Sequence, residues 1–213
     1  MAYIGSKPAD KVLTASDITD GVVSNAKLAQ DIISADTALG ATPADTDELL
    51  VSDAGVLKRM DYSYIKSTNT PAFEATRGSN QTISHDTETK VACDVETFDT
   101  ASAYDNSTNY RWTPQTAGKY YIYAQATATI AQEELKRYSL IIKKNGNNYK
   151  YQSNYFTGNP AYKSTIYIGS VIDMDGSSDY VELYGKIEYS SSGTVIVSGD
   201  SVELTFGGYK LIE

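Results

Sequence analysis

Hydrophobic and polar positions alternate over long stretches of the later two-thirds of the chain and scarcely at all over the first third. In KYYIYAQATATI, residues 119–130, one strand face takes Tyr120, Ile122, Ala124, Ala126, Ala128 and Ile130, and the other takes Tyr121, Tyr123, Gln125, Thr127 and Thr129. The first face is apolar and built of mostly small side chains, which suits packing beneath a second sheet. The second shows two tyrosines among polar residues, and a subunit interface explains such a surface most simply. Comparable runs recur at short spacing: FEATR, TKVACDVETFD, YRWTP, RYSLIIKKNG, STIYIGSVIDM, DYVELYGKIEY, GTVIVSG and SVELTFGGYKLIE. Turn signals separate them at Asn145-Gly146, Asp175-Gly176, Ser192-Gly193 and Gly199-Asp200. QEELKR, 132–137, reads as a charged connection or one helical turn. Eight or nine strands in about 145 residues predict an all-β antiparallel sandwich, with a jelly roll the leading choice.

The first third behaves differently. Its apolar residues come in small clusters, Ile18, Val22 with Val23, Leu28, Ile32 with Ile33, and Leu39, at gaps that fit neither strand alternation nor a heptad. NAKLAQDII predicts a short helix capped by Ser24 or Asn25. ELLVSDAGVLKRMDYSYI predicts a hairpin turning at Asp53-Ala54-Gly55, whose last part, DYSYIK, could instead begin a helix. The composition shifts near residue 67, and STNTP, 67–71, reads as the junction. The expected organisation is an extended leader over 1–40, a connector cassette over 41–70 and a jelly-roll head over 71–213. A front segment with so few large side chains cannot bury enough surface to offset chain entropy, so other chains or a host surface are expected to hold it.

Composition narrows the partners. The net charge is −9 with no Lys/Arg cluster, which disfavours nucleic acid and argues against an anionic membrane surface. MAYIGSKPADKVL lacks the apolar run of a secretory signal, so synthesis in a cytoplasm without cleavage is expected. The single cysteine, Cys93 in KVACDVETF, leaves no intrachain disulfide and reads as a small buried hydrophobe on a strand. There are 18 Tyr against 4 Phe and 1 Trp, mostly after residue 100, which suits a β-domain with extensive interfaces. The lone Trp112 is expected to cover the open end of the sandwich.

Catalytic and metal-binding patterns find little support. His85, the only histidine, sits in a predicted loop with no Gly-x-Ser-x-Gly nucleophile motif, and reads as a surface imidazole. Carboxylate pairs such as Asp94 with Glu96, or Glu133 with Glu134, arise by chance in a chain with 27 acids. Asp173-Met174-Asp175-Gly176-Ser177-Ser178-Asp179 has acids at positions one, three and seven of a calcium loop, but Tyr184 stands where the bidentate acid belongs; a plain Asp-Gly hairpin turn explains it. No phosphate loop or dinucleotide fingerprint occurs. The chain is expected not to be an enzyme and to need no cofactor or metal.

FDTASAYDNSTNYRWTPQTAGKYYIYAQA resembles the signature region of the complement C-one-q globular head, a relative of tumour necrosis factor. Phe98, Asp99, Tyr104, Asp105, Ser107, Thr108, Trp112, Pro114, Gly118 and Tyr120 carry the match. SLIIKKNGNNY, VIVSGDSVELTF and FGGYKLIE extend it in the family's order, the last through Phe206, Gly207 or Gly208, and Leu211. Trp112 stands where that family usually has Phe, one extra residue separates it from Tyr104, and Ile122 replaces an aromatic. The resemblance implies a ten-strand jelly roll assembled as a compact trimer, with Tyr121, Tyr123, Phe206 and Tyr209 as interface candidates. It also leaves calcium conceivable at a trimer apex.

AYIGSKPADKVLTASDITDGVVSNAKLAQDII is similar to the amino termini of short fibre and appendage proteins of tailed bacteriophages, and PADTDELLVSDAGVLKRMDYSYIK resembles a cassette of the same proteins. The implied function is a homotrimeric virion appendage, a short tail fibre or head fibre, made in the host bacterial cytoplasm and located on the virion. Tyr3, Ile4, Val12 and Leu13 are the candidates for attachment to phage capsid or tail protein. The tyrosine- and asparagine-rich stretch 143–163 is expected to be either an exposed loop region, with Tyr149, Tyr151, Tyr155 and Tyr162 as candidates for contact with a host surface glycan or protein, or an ordinary solvated hairpin with interface tyrosines. The alternative is a purely structural capsid decoration or connector trimer without receptor binding.

Overall fold

The computed structural model describes residues 37–66, 68–156, 158–190 and 195–212, together with Thr14 and Ser16. The chain divides into two units, Met1–Lys66 and Ser67–Glu213. The attachment candidates Tyr3, Ile4, Val12 and Leu13, the NAKLAQDII helix and the Ser192-Gly193 turn lie outside the described residues.

In the first unit, β1 (Glu48–Asp53) and β2 (Val56–Asp61) form the expected antiparallel hairpin, with Asp53 opposite Val56. The turn is Ala54-Gly55, at φ 50° and 86°; positive φ at both central positions matches the twist of the strands. DYSYIK makes one 3-10 turn, Tyr62–Tyr64, and no longer helix. Leu50 and Leu57 stay exposed on this hairpin. A two-stranded hairpin is marginal by itself.

The second unit is two packed antiparallel sheets. One contains β3 (Ala72–Thr76), β4 (Gln81–Ile83), β6 (Val95–Asp99), β9 (Gly118–Ile130), β12 (Lys163–Met174), β14 (Val195–Val197) and β15 (Leu204–Lys210). The other contains β5 (Thr89–Lys90), β7 (Tyr104–Asp105), β8 (Arg111–Trp112), β10 (Leu135–Lys144), β11 (Asn147–Tyr155) and β13 (Val181–Tyr189). The orders are β4-β14-β9-β15-β3-β6, with β12 along the other edge of β9, and β11-β10-β13-β8-β7, with β5 also on β13. The chain crosses between sheets from β9 to β10, β11 to β12, β12 to β13 and β13 to β14, which is the jelly-roll path.

The core follows from alternation. Tyr120, Ile122, Ala124, Ala126, Ala128 and Ile130 all point inward from β9 and are buried, as their parity predicts. Tyr138, Leu140 and Ile142 of β10 line the same core from the facing sheet. Trp112 is fully buried. Its ring stacks on Phe73 at 4.7 Å and meets Tyr120 edge-on at 5.1 Å, while Phe73 also stacks on Tyr104 at 5.1 Å. Four aromatic rings from four separate strands therefore close one end of the core, in the offset and edge-on geometries that ring quadrupoles favour.

Three expectations change and one open alternative is decided. KVACDVETF is not one strand: Thr89–Lys90 pairs with β13, Val95–Asp99 pairs with β3, and the residues between pass from sheet to sheet. Its alternation still holds in burial, since Val91 and Cys93 both enter the core. Asp175-Gly176 is not a hairpin turn, because β12 and β13 belong to different sheets. Gly176 sits at φ 71° with its α-carbon against the backbone of Thr116 and Ala117, too close for any Cβ. In QEELKR, Leu135 to Arg137 already belong to β10. Of the two readings of 143–163 the structure has the hairpin: Asn147–Tyr155 is a full edge strand on β10, reached through the Asn145-Gly146 turn at φ 52° and 77°. An edge strand wetted on both faces needs no aliphatic alternation, so NNYKYQSNY hides its strand character.

Candidate functional site

Two outward faces of the head gather aromatic side chains. On the β9 sheet, Tyr121 and Tyr123 share their face with Tyr167 and Val171 of β12, Tyr209 of β15, Glu74 of β3 and Phe98 of β6. Tyr121 stacks beside Tyr123 at 6.2 Å and lies 5.8 Å from Tyr209, and its hydroxyl is 3.1 Å from that of Tyr167. The Tyr123 hydroxyl donates to Glu74 Oε2 at 2.9 Å.

Two glycines let these rings lie flat. A Cβ at Gly169 would stand 2.3 Å from the Tyr121 hydroxyl oxygen, and one at Gly207 would stand 2.6 Å from Tyr123 Cζ. Each ring therefore rests on a glycine of the neighbouring strand and turns its free side outward, making a plate rather than a row of projecting side chains. Burial, followed by the adjoining Glu74 carboxylate, raises the Tyr123 phenol well above the ordinary tyrosine value. The hydrogen bond with Tyr121 and then burial push Tyr167 up to about 12. Both are neutral phenols at ordinary pH, so the plate is apolar with hydroxyl tips.

Of the sequence-derived interface candidates, Tyr121, Tyr123 and Tyr209 lie on this plate, and Phe206 does not. Phe206 opposes Ala124, points inward and is fully buried against Phe73. Its spacing of three from Tyr209 places the two on opposite faces of β15. Tyr167, Val171 and Phe98 were missed; Tyr167 and Val171 share the odd-numbered parity of STIYIGSVIDM, and that was the available signal.

The second face belongs to the sheet of β10, β11 and β13. Outward positions on β10 are Arg137, Ser139, Ile141 and Lys143, opposed on β13 by Glu188, Lys186, Tyr184 and Glu182. Tyr151 opposes Ile141, yet its hydroxyl lies 3.0 Å from Ser139 Oγ, which is 2.7 Å from Ser153 Oγ. Arg137 pairs with Asp86 at 2.6 Å and Glu188 at 3.4 Å, and its guanidinium stands 6.0 Å from the Tyr155 ring. Lys186 reaches Asp86 at 3.1 Å, and Lys143 reaches Glu88 at 2.7 Å while lying 4.3 Å over Tyr184. The hydrogen bond to Lys143 holds Glu88 below the usual carboxylate range, and the one to Lys186 does the same for Asp86.

The four host-contact candidates are all exposed but not brought together. Tyr151 and Tyr155 share the outward face. Tyr149 sits at the bulge opposite Ile142/Lys143 and donates to the Val171 carbonyl of the other sheet at 3.1 Å, closing the sandwich edge. Tyr162 lies in the connection before β12.

Elsewhere the polar groups serve local structure. Asp175 Oδ1 accepts the N–H groups of Asp179, Ser177 and Ser178 at 2.8–2.9 Å, which holds its pKa well below the normal aspartate value. Asp179 takes Lys144 at 2.7 Å and Asn145 at 2.7 Å. A cleft of about 270 Å³ lies here, lined by Lys144, Asp173, Met174, Asp175 and Asp179, but its carboxylates at 175 and 179 are already engaged. Among the described residues no cluster of three or more His, Cys, Asp or Glu is arranged to hold a metal. The His85 ring meets Tyr189 edge-on at 4.6 Å, and its Nδ1 accepts the Tyr189 N–H at 3.3 Å. Burial pushes the Cys93 thiol up to about 12, so it is an inert core residue.

The head is thus an all-β, two-layer antiparallel jelly roll with one tyrosine-plated face and one charge-laced face. No family model and no curated protein matches the sequence. Solved structures similar to it include the globular domain of zebrafish complement 1qA protein, at 14% identity and a TM-score of 0.49, over 68% of this chain and 99% of that one. The Eiger TNF from S. frugiperda is similar at 11% identity and a TM-score of 0.48, over 67% and 92% of the two chains. Murine APRIL at pH 5.0 is similar at 10% identity and a TM-score of 0.49, over 66% and 98%. The first two carry the names of the two groups that the sequence of the head resembles.

Proposed function

We propose that this chain is the subunit of a homotrimeric bacteriophage virion appendage, held to the particle by its front segment and projecting its jelly-roll head outward to meet the host surface. The role is assembly and binding rather than catalysis. The observation that carries the reading is the plate of Tyr121, Tyr123, Tyr167 and Tyr209, a flat aromatic surface with Val171 and Phe98 at its margins. Contiguous apolar surface of this kind marks an interaction site, and tyrosine is among the residues enriched where proteins meet. Three-fold assembly around it would also give the hairpin and leader two identical companions. The likeness of the leader and cassette to phage appendage segments supplies the particle as the setting.

Light scattering on the purified full chain is expected to report three copies at micromolar concentration. A stable single-chain species would remove the assembly reading. Antibody against the head is expected to decorate intact phage particles in electron micrographs; particles that carry none of it would remove the virion reading.

A further inference from the structure

The outward face of the β10–β11–β13 sheet contains one construction that neither folding nor the tyrosine plate requires. Inward residues of β10 are Tyr138, Leu140 and Ile142, so Ser139 and Ile141 point outward, away from the core cluster. Both are nevertheless fully covered. The cover over them includes Tyr151, whose ring starts opposite Ile141 and runs diagonally to place its hydroxyl 3.0 Å from Ser139 Oγ. One side of this ring is therefore spent on the sheet, and the other is offered to solvent, leaving the residue 44% exposed. Ser153 Oγ, 2.7 Å from Ser139 Oγ, completes a hydroxyl chain that holds the ring in this orientation. Tyr155, 62% exposed, stands four residues along the same face, with only the small Ser153 between the two rings.

The charges beside the rings cancel. Arg137 and Lys186 converge on Asp86, and Glu188 supplies the second carboxylate. An anionic ligand would have to displace one of these carboxylates on a chain whose net charge is already −9. A cationic ligand would meet Arg137 and Lys186 instead. A neutral polyhydroxylated ligand meets no such penalty: its hydroxyls can donate to Asp86 and Glu188, and its apolar ring face can lie on a held aromatic ring. Because Tyr151 is pinned before any ligand arrives, little side-chain ordering remains to oppose binding.

We propose that this face is a carbohydrate-binding surface for neutral hexose chains, with Tyr151 as the stacking platform, Tyr155 as a second ring, and the Arg137–Asp86–Lys186–Glu188 group as the hydrogen-bonding border. It deepens the reading of an outward-facing head and rests on that reading. Three copies on one particle would multiply a weak single site into useful avidity.

Affinity electrophoresis of the full chain through gels containing dextran, mannan or alginate tests it. The neutral polymers dextran and mannan stand for the proposed class, and alginate for acidic chains. Retardation is expected from at least one neutral polymer and not from alginate. Tyr155→Ala, at an exposed position, and Tyr151→Ala are each expected to weaken it about tenfold, the size of one aromatic contact. Tyr151→Phe, which keeps the ring, should retain most of it. Retardation by neither neutral polymer, preference for alginate, or binding unchanged in both alanine variants would overturn the proposal. Light scattering on the same samples separates the two readings: three copies without retardation removes only the carbohydrate site, and retardation of a single-chain species removes only the assembly.

Discussion

The two outward faces of the head obey the same alternation and reach opposite solutions. On the β9 sheet, Tyr121 and Tyr123 lie over Gly169 and Gly207, Tyr167 and Tyr209 adjoin Tyr121, and Glu74 accepts from Tyr123. On the β10 sheet, Arg137, Lys143 and Lys186 interleave with Asp86, Glu88 and Glu188, and the tyrosines are spread among them. A face laced with charge pairs is at home in water, because each pair stays partly hydrated and costs little there. A neutral aromatic plate is not, and its stability depends on what covers it. The difference teaches that the two faces differ in their need for cover, which is what the proposed roles, a protein partner for the plate and small polar ligands for the charged face, rest on.

The largest expected effect breaks the plate. Tyr121→Glu with Tyr209→Glu places two charges where the rings meet, and should reduce the light-scattering mass from three copies to one. The matched change on the other face, Tyr155→Glu, should leave the mass unaltered. If both variants dissociate, the division of roles between the faces is wrong.

Raising the rings comes next. Gly169→Ala puts a methyl under Tyr121, a forced contact of the kind that costs about 1–3 kcal/mol. Urea unfolding of the assembly should show this loss, and Gly169→Ala with Tyr121→Ala should recover part of it by removing the clash.

The pH dependence should separate the faces by sign. Tyr167 is raised to about 12 in the folded state, so its contribution is complete below the unfolded tyrosine value of about 10 and is lost as pH climbs through the folded one. Glu88 and Asp86 are depressed, so their contribution is present above about 4 and is lost as pH falls through the folded values. Thermal melting against pH is expected to show both limbs. Tyr167→Phe should flatten only the alkaline limb, and Glu88→Gln only the acid limb.

The smallest effect is that of a single charge pair. Glu88→Gln frees Lys143 and should change stability at neutral pH by no more than about 1 kcal/mol, shrinking further as salt is added. A larger, salt-independent loss would show that the charged face is a packed structural layer instead.

Much of this contrast was legible along the chain. Residues 119–130 form a long run on a central strand, where one face is buried for its whole length, so parity alone separated Tyr120 from Tyr121. The Ala54-Gly55 and Asn145-Gly146 turns were readable because their backbone needs residues that tolerate positive φ. β11 stayed open between loop and hairpin because an edge strand need not alternate, and the crossing at Cys93 escaped notice because an inward side chain alternates whether or not its backbone is paired. Phe206 was misplaced although its spacing from Tyr209 excluded a shared face.

What the chain's own order determined, then, is local: which residues face together within one strand, and where the strands turn. Register and sheet assignment decided the rest. Phe73, Tyr104, Trp112 and Tyr120 meet only because four strands are brought to one end of the sandwich. Tyr121 lies flat only because β12 sets Gly169 beside it, and Tyr151 is pinned only because β10 offers Ser139. A strand's two-residue period fixes the direction of each side chain, but what that side chain touches depends on strand pairing across tens of residues, which no local pattern encodes.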